Sequence, residues 1–209
     1  MVQTETGAWN ADHSEGTVLS AKSIKILGIP GSLREHSFNR ALMRAASEVA
    51  PDGIDVEMFL LHDVPLYNAD VEAQGNPPPV QELKRAIADA DGVLFSTPQY
   101  NRSVSGVLKN AVDWASRPAF ESVLAGKPVA IIGASSGRSA TAVAREDLVK
   151  ILQSTRSEIM NTPTIGLSNS GDHIDAGVLQ SEDVRNEIRR LLNDFAVFIR
   201  GHALADAAD

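Results

Sequence analysis

The 209-residue chain contains no cysteine. That absence excludes disulfide frameworks, thiolate nucleophiles, zinc ribbons and CxxC redox pairs. Long apolar runs are missing too. No stretch approaches the roughly 18 unbroken apolar residues of a membrane helix. The N-terminal segment is polar, with Glu5, Asp12 and Glu15, and shows no basic start followed by an apolar run, so it does not read as a secretory signal. Basic residues are in the minority: 19 Lys plus Arg against 27 Asp plus Glu give a formal charge of −8. Sequence-independent nucleic-acid binding needs the opposite balance, although a local basic pocket for a small anion is compatible with it. What remains is an ordinary globular composition, 43% apolar and 22% charged, able to bury one large core without staples. At about 150 residues per domain the expectation is a single domain. Residues 1–22 read as a flexible leader, 23–201 as the domain and 202–209 as a short acidic tail, with the cytoplasm as the default compartment.

Short apolar runs alternate with helical patterns along the chain. Ser23 to Pro30 (SIKILGIP) reads as a buried strand. Phe38, Ala41, Leu42, Ala45, Ala46 and Val49 then share one helical face, with Ser37 placed as N-cap. Gly53 to Leu60 alternates as a second strand, and Leu61 to Pro79 is a long irregular stretch of the kind usually tied to function or to a subunit contact. A helix face follows at Val80, Leu83, Ile87 and Ala90, a strand at Gly92 to Thr97 and a helix from Val107 to Ser116. Lys127 to Gly133 is a fourth strand, followed by a helix to about Gln153. Glu158 to Pro163 reads as a short fifth strand, Gly166 to Gly177 as a polar loop, and Val184 to Ile199 as a periodic final helix. Strands feeding crossover helices imply an α/β fold with a parallel sheet covered on both faces.

In such a sheet, ligands sit beyond the carboxyl ends of the strands. The segment after the first strand, GSLREHSFN (Gly31 to Asn39), opens a helix with free N–H groups, hydroxyls at Ser32 and Ser37, an amide at Asn39 and a guanidinium at Arg34. These suit a phosphate; an ordinary helix cap with polar surface residues is the plainer reading. No GK[ST] or GxGxxG follows, so neither a Walker loop nor a dinucleotide fingerprint is present. The segment PQYN (Pro98 to Asn101) after the third strand suits a flat heteroaromatic ring, its plainer reading being a turn followed by helix packing. Lys109 and Asp113 read as a surface pair. The segment Ala134 to Gly137 is small enough for close backbone approach to a ligand. Gly133 to Gly137 also matches GxSxG, which makes a serine esterase on Ser135 a competing reading, with His173 and His202 as the only later histidines.

Taken together, GSLREHSFN, PLYNAD (Pro65 to Asp70) and STPQYNRSVSGVLKNAVDWASR (Ser96 to Arg117) resemble the NADPH-dependent FMN reductase family, in its chromate and quinone reductase branch. The resemblance runs from about Ser23 to Arg200. It implies a flavodoxin-like three-layer sandwich with a five-stranded parallel sheet of order 2-1-3-4-5. It also implies a non-covalent FMN, with NADPH or NADH as co-substrate. By motif position Ser32, Arg34, Ser37, Asn39 and the backbone at Phe38 would hold the phosphate. Pro98, Gln99, Tyr100 and Asn101 would line the ring, and Ser135 and Gly137 would reach its edge. No side chain is expected as acid, base or nucleophile, and no metal site is expected, since the flavin carries the chemistry. The implied reaction passes hydride from NAD(P)H through FMN to a small acceptor such as a quinone, chromate or free flavin. An FMN-binding electron carrier is the alternative. The family further implies a homodimer or homotetramer built on the helix Val107 to Ser116 and the stretch Leu61 to Pro79, with Leu66 and Trp114 as contacts, core packing being an equal reading of Trp114. The chain departs from the family's pattern in three places: Gln99 stands for its glutamate, Arg102 and Ser105 for an aromatic and a proline, and Ala140 and Thr141 for a glycine pair.

Overall fold

The computed structural model describes residues 23–206. The leader expected at 1–22 lies outside the described residues. The chain opens with β1 (Ile24–Pro30), α1 (Phe38–Glu48) and β2 (Ile54–Met58), then α2 (Ala69–Glu72), α3 (Pro78–Asp89) and β3 (Gly92–Ser96). It continues with α4 (Gly106–Ala115), β4 (Pro128–Ala134), α5 (Ala142–Ser154), β5 (Glu158–Ile159) and β6 (Ile165–Leu167). A 3-10 turn (Ser170–Asp172), the strands β7 (Ile174–Asp175) and β8 (Val178–Leu179), and α6 (Glu182–Asp206) complete it.

The sheet order is β2-β1-β3-β4-β5, with every pairing parallel. Its strands read as continuous apolar runs, yet their side chains alternate between two cores. Ile26, Leu94 and Ile132 pack with α1 and α6 through Leu42, Ile188 and Phe195. Leu27, Phe95 and Ile131 pack with α3, α4 and α5 through Leu83, Leu108 and Leu148. This is the period-2 signature of a sheet covered on both faces.

Three expectations change. The fifth strand is split: β5 pairs with the start of β4 and β6 with its end. Between them the Thr164 hydroxyl donates to the Ile131 carbonyl at 2.6 Å, in place of a strand N–H, because Pro163 cannot donate to a ladder. The polar loop expected over Gly166 to Gly177 holds the end of β6, the 3-10 turn and most of the antiparallel β7–β8 hairpin. The final helix runs through Gly201 to Asp206, into the stretch expected as a tail. The irregular stretch Leu61 to Pro79 contains the single-turn α2, capped by the Asn68 side chain, and the first turn of α3, where Pro78 stands as first residue.

Candidate functional site

The turn after β1 is drawn tightly against the neighbouring chain. The Gly31 N–H donates to the Ser96 carbonyl at 2.8 Å, and the Gly31 carbonyl accepts from the Ser105 hydroxyl at 2.7 Å. A Cβ on Gly31 would stand 3.0 Å from the Leu108 side chain and 3.1 Å from the Ser105 hydroxyl, so a larger residue would have to push both aside. Ser105 also caps α4 by accepting from the Leu108 N–H. The departure from proline at this position therefore supplies a cap and ties α4 to the first loop. Ser37 caps α1 by accepting from the Arg40 N–H. The helix start presents the N–H groups of Phe38 and Asn39, which have no intrahelical acceptor.

The second loop leaves β3 at Thr97, whose N–H donates to the Ile132 carbonyl at 2.9 Å. It ends in a tight turn closed by reciprocal backbone bonds between Tyr100 and Ser103. Asn101 and Arg102 both have positive φ, 49° and 62°, the geometry of a type I′ turn. Two side chains lace this loop to α5. Gln99 donates to the Ser139 hydroxyl at 3.1 Å and accepts from the Ala144 N–H at 3.4 Å. Ser103 donates to Asp147 at 2.9 Å. The Thr141 side chain at the α5 cap position makes no capping bond, so the Gln99 amide takes that role from another loop.

The third loop starts at Ala134, the last residue of β4. The Ser135 carbonyl accepts from both the N–H and the hydroxyl of Ser170, and its hydroxyl donates to the Gly137 carbonyl. No histidine bonds to Ser135 among the described residues. The nucleophile elbow therefore lacks its base, and the esterase reading loses its geometric support. Ala140 and Thr141, at the expected glycine pair, both adopt positive φ, 47° and 59°. The backbone thus keeps the conformation glycine takes freely, at a steric cost. Thr141 closes down on Gly133, where a Cβ would also meet the Thr97 carbonyl at 2.6 Å.

These loops enclose one cleft of about 370 Å³. The first loop contributes Ser32, Arg34, Ser37, Phe38 and Asn39; the second Pro98, Gln99 and Tyr100; the third Ala134, Ser135 and Ser136. Asn101 and Gly137 of the expected set do not line it: Asn101 is exposed at the tip of its turn, and Gly137 turns its carbonyl to Ser135 and Asn169. Ala134 and Ser136, within the segment expected to approach the ligand but given no role of their own, also line it, and Ser96 and Ser105 brace it from behind. A serine at the buried end of an apolar strand was the signal for Ser96. Among the described residues, no acidic side chain lines the cleft. Arg34 has no carboxylate partner among the described residues and lies 5.6 Å over the Phe38 ring. A free guanidinium, hydroxyls and a helix N-terminus at one end, with a flat turn and small residues at the other, fit an aromatic ring bearing a phosphate.

A sequence model of the NADPH-dependent FMN reductase family matches residues 24–172. The chain belongs to that family. It is 43% identical over 178 residues to an NAD(P)H-dependent FMN reductase of Pseudomonas aeruginosa, covering 85% of this chain and 96% of that one. It is 40% identical over 179 residues to a 2-hydroxy-1,4-benzoquinone reductase of a Burkholderia species, covering 85% and 97%. Among solved structures, the flavoenzyme NAD(P)H:(acceptor) oxidoreductase of Paracoccus denitrificans superposes with a TM-score of 0.76 at 34% identity, covering 86% of this chain and 98% of that one. The flavodoxin-like order 2-1-3-4-5 is the observed one. As an FMN reductase family member the chain is an oxidoreductase that uses FMN and NAD(P)H. No described helix is long and apolar enough to cross a membrane.

Proposed function

We propose that FMN binds in the three-loop cleft and relays electrons from NAD(P)H to a small, flat acceptor of the quinone class. The observation that carries this is the convergence of the anion-suited helix start and the two ring-suited loops on one cleft that no acidic side chain among the described residues lines. Ser32, Arg34, Ser37 and the Phe38 N–H, with Asn39, form the phosphate end. Pro98, Gln99 and Tyr100 form the ring wall and Ser135 serves the ring edge, while Asn101 and Gly137 shape the turns beside them. When bound, FMN takes up two electrons from NAD(P)H and releases them to the acceptor. The chain supplies position and charge. Arg34 and the start of α1 offset the phosphate charge. Backbone N–H groups of the second and third loops stand ready for negative charge at the ring edge. Tyr100, half exposed, walls one side of the cleft and leaves the approach for a second planar molecule open. The two substrates then share one approach, which predicts ping-pong kinetics.

The curated relatives support a quinone acceptor, one being named for 2-hydroxy-1,4-benzoquinone. The same reading makes the protein a cytoplasmic homo-oligomer, a dimer or tetramer, that associates through α4 and the stretch from Leu61 to Pro79. Leu66, 83% exposed, is its apolar contact. Trp114 is withdrawn from that role: it is fully buried, donates to the Pro65 carbonyl at 2.8 Å and meets Tyr67 edge-on at 5.0 Å. The decisive experiment is the visible spectrum of the purified protein, followed by a stopped-flow mix with NADPH. A yellow protein that releases FMN on heating and bleaches rapidly with NADPH is expected. Slow bleaching would indicate an electron carrier, and a colourless protein that FMN cannot reconstitute would overturn the proposal.

A further inference from the structure

We infer that Asn39 is a positioning residue for the ring side of the cleft, not a ligand of the phosphate. The inference rests on the FMN reading and changes what one of its residues does. Asn39 is the second residue of α1 and is 2% exposed. Its Oδ1 accepts from the Ser96 hydroxyl at 2.9 Å and from the Ala134 N–H at 3.0 Å. Its Nδ2 donates to the Ala134 carbonyl at 3.0 Å. Because the Ala134 N–H can only donate, the orientation of the amide is settled. Three of the four bonds that an asparagine amide can form are thus spent inside the protein.

The topology explains why an amide stands there. The β3–β4 ladder ends at Ser96 and Ile132, and the chain after β3 turns away at Pro98. On the other side β6 continues alongside Ala134. The edge of Ala134 that faces β3 therefore has lost its strand. The Asn39 side chain replaces the missing peptide, accepting from and donating to the same residue as a strand neighbour would. Unpaired, these buried backbone groups would carry a desolvation cost. The same bracket fixes the start of the third loop, with Ser135 and Ser136, relative to the first turn of α1. Asn39 thereby sets the distance between the phosphate end and the ring edge.

Flavin binding by the apoprotein separates the two roles, because riboflavin carries the ring without the phosphate. Dissociation constants for FMN and riboflavin, from quenching of flavin fluorescence, are measured for wild type, Asn39→Ala, Arg34→Ala and Ile87→Val. The last is a core control on α3, away from the cleft. Circular dichroism confirms that each variant is folded at the temperature used. Asn39→Ala is expected to weaken both flavins by about tenfold or more and to leave their ratio as in wild type. Arg34→Ala is expected to weaken FMN alone, and Ile87→Val neither.

Asn39→Asp adds a second readout. As a neutral acid the introduced side chain reproduces all three bonds; as a carboxylate it faces the Ala134 carbonyl with no proton to donate. The affinity of this variant for riboflavin should therefore improve from pH 8 to pH 5.5, relative to wild type and to Asn39→Ala. Those two proteins carry the same ionisable neighbours, Arg34, Glu35, His36 and Arg40 on the first loop and α1, and so report their contribution; Ser96 and Ala134, on β3 and β4, do not titrate. Loss of FMN affinity with riboflavin affinity intact in Asn39→Ala would make Asn39 a phosphate ligand and overturn the inference. Wild-type affinity for both flavins in that variant would also overturn it. Wild-type protein that binds neither flavin would instead remove the FMN reading beneath it.

Discussion

Arg34 and Arg102 carry the same charge on two loops of one cleft, and their surroundings separate them. Arg34 lines the cleft beside the start of α1, stacked on Phe38. Arg102 stands at the tip of its turn and does not line the cleft. Arg34→Ala is therefore expected to cost about 1.5–3 kcal/mol of FMN binding, a charge-assisted contact, and Arg102→Ala much less. Calorimetric titration of the apoprotein measures both, and equal, negligible losses would discredit the phosphate assignment. Arg102 also holds a positive φ of 62°. Glycine accepts that conformation freely, so Arg102→Gly should raise stability by about 1 kcal/mol in a urea melt. Gly133 is the converse case. A Cβ there would press on Thr141 and the Thr97 carbonyl, both fixed by the fold. Gly133→Ala should destabilise by about 1–3 kcal/mol, as overpacking does, and loosen flavin retention with it.

Among the elements, α5 shows how a local deficit is repaired from a distance. Its cap position, Thr141, is held at positive φ and caps nothing, and Gln99 bonds the Ala144 N–H instead. Gln99→Ala should lower the melting temperature and weaken flavin binding together. Gln99→Glu should preserve the melting temperature, because a carboxylate accepts from both Ser139 and Ala144 at a helix N-terminus. The segment before α3 carries a titrating bridge. Tyr67 donates to Glu72 at 2.7 Å, and that bond, with burial and the Glu72 charge adding to it, raises the phenol above its ordinary value near 10. A phenol raised on folding contributes stability that is fully present below the unfolded value and is lost as pH rises through the folded one. Ultraviolet titration is direct, since Tyr67 and Tyr100 are the only tyrosines. Glu72→Gln should bring the Tyr67 transition back toward the ordinary range.

At the scale of the whole molecule, Leu66 and Phe120 are 83% and 86% exposed, the most open large apolar side chains among the described residues; Leu66 follows Pro65, which Asn110 and Trp114 of α4 bond, and Phe120 follows α4 in the chain. Leu66 is the apolar contact of the interface proposed above, so placing a charge there tests that interface directly. Sedimentation velocity should find a dimer or tetramer for the wild type and a smaller species for Leu66→Asp. A monomeric wild type would remove the proposed interface.

Much of this architecture was legible in the amino-acid order itself. Apolar runs of strand length, alternating with helical faces such as Phe38 to Val49, admit few arrangements other than a covered parallel sheet. The motifs after the first and third strands pointed to a phosphate and a ring at the strand ends, and nearly all of their residues meet in one cleft. Periodicity reports which face of an element is buried, and a cap residue reports where a helix begins; both are local properties. The bracket from Asn39 to Ser96 and Ala134, the cap lent by Gln99 to α5, and the break between β5 and β6 are not local. Each exists because a buried backbone group must find a partner once its neighbouring strand or cap residue fails to provide one. Which side chain answers depends on what the fold has brought within about 3 Å, a distance that no spacing along the chain encodes.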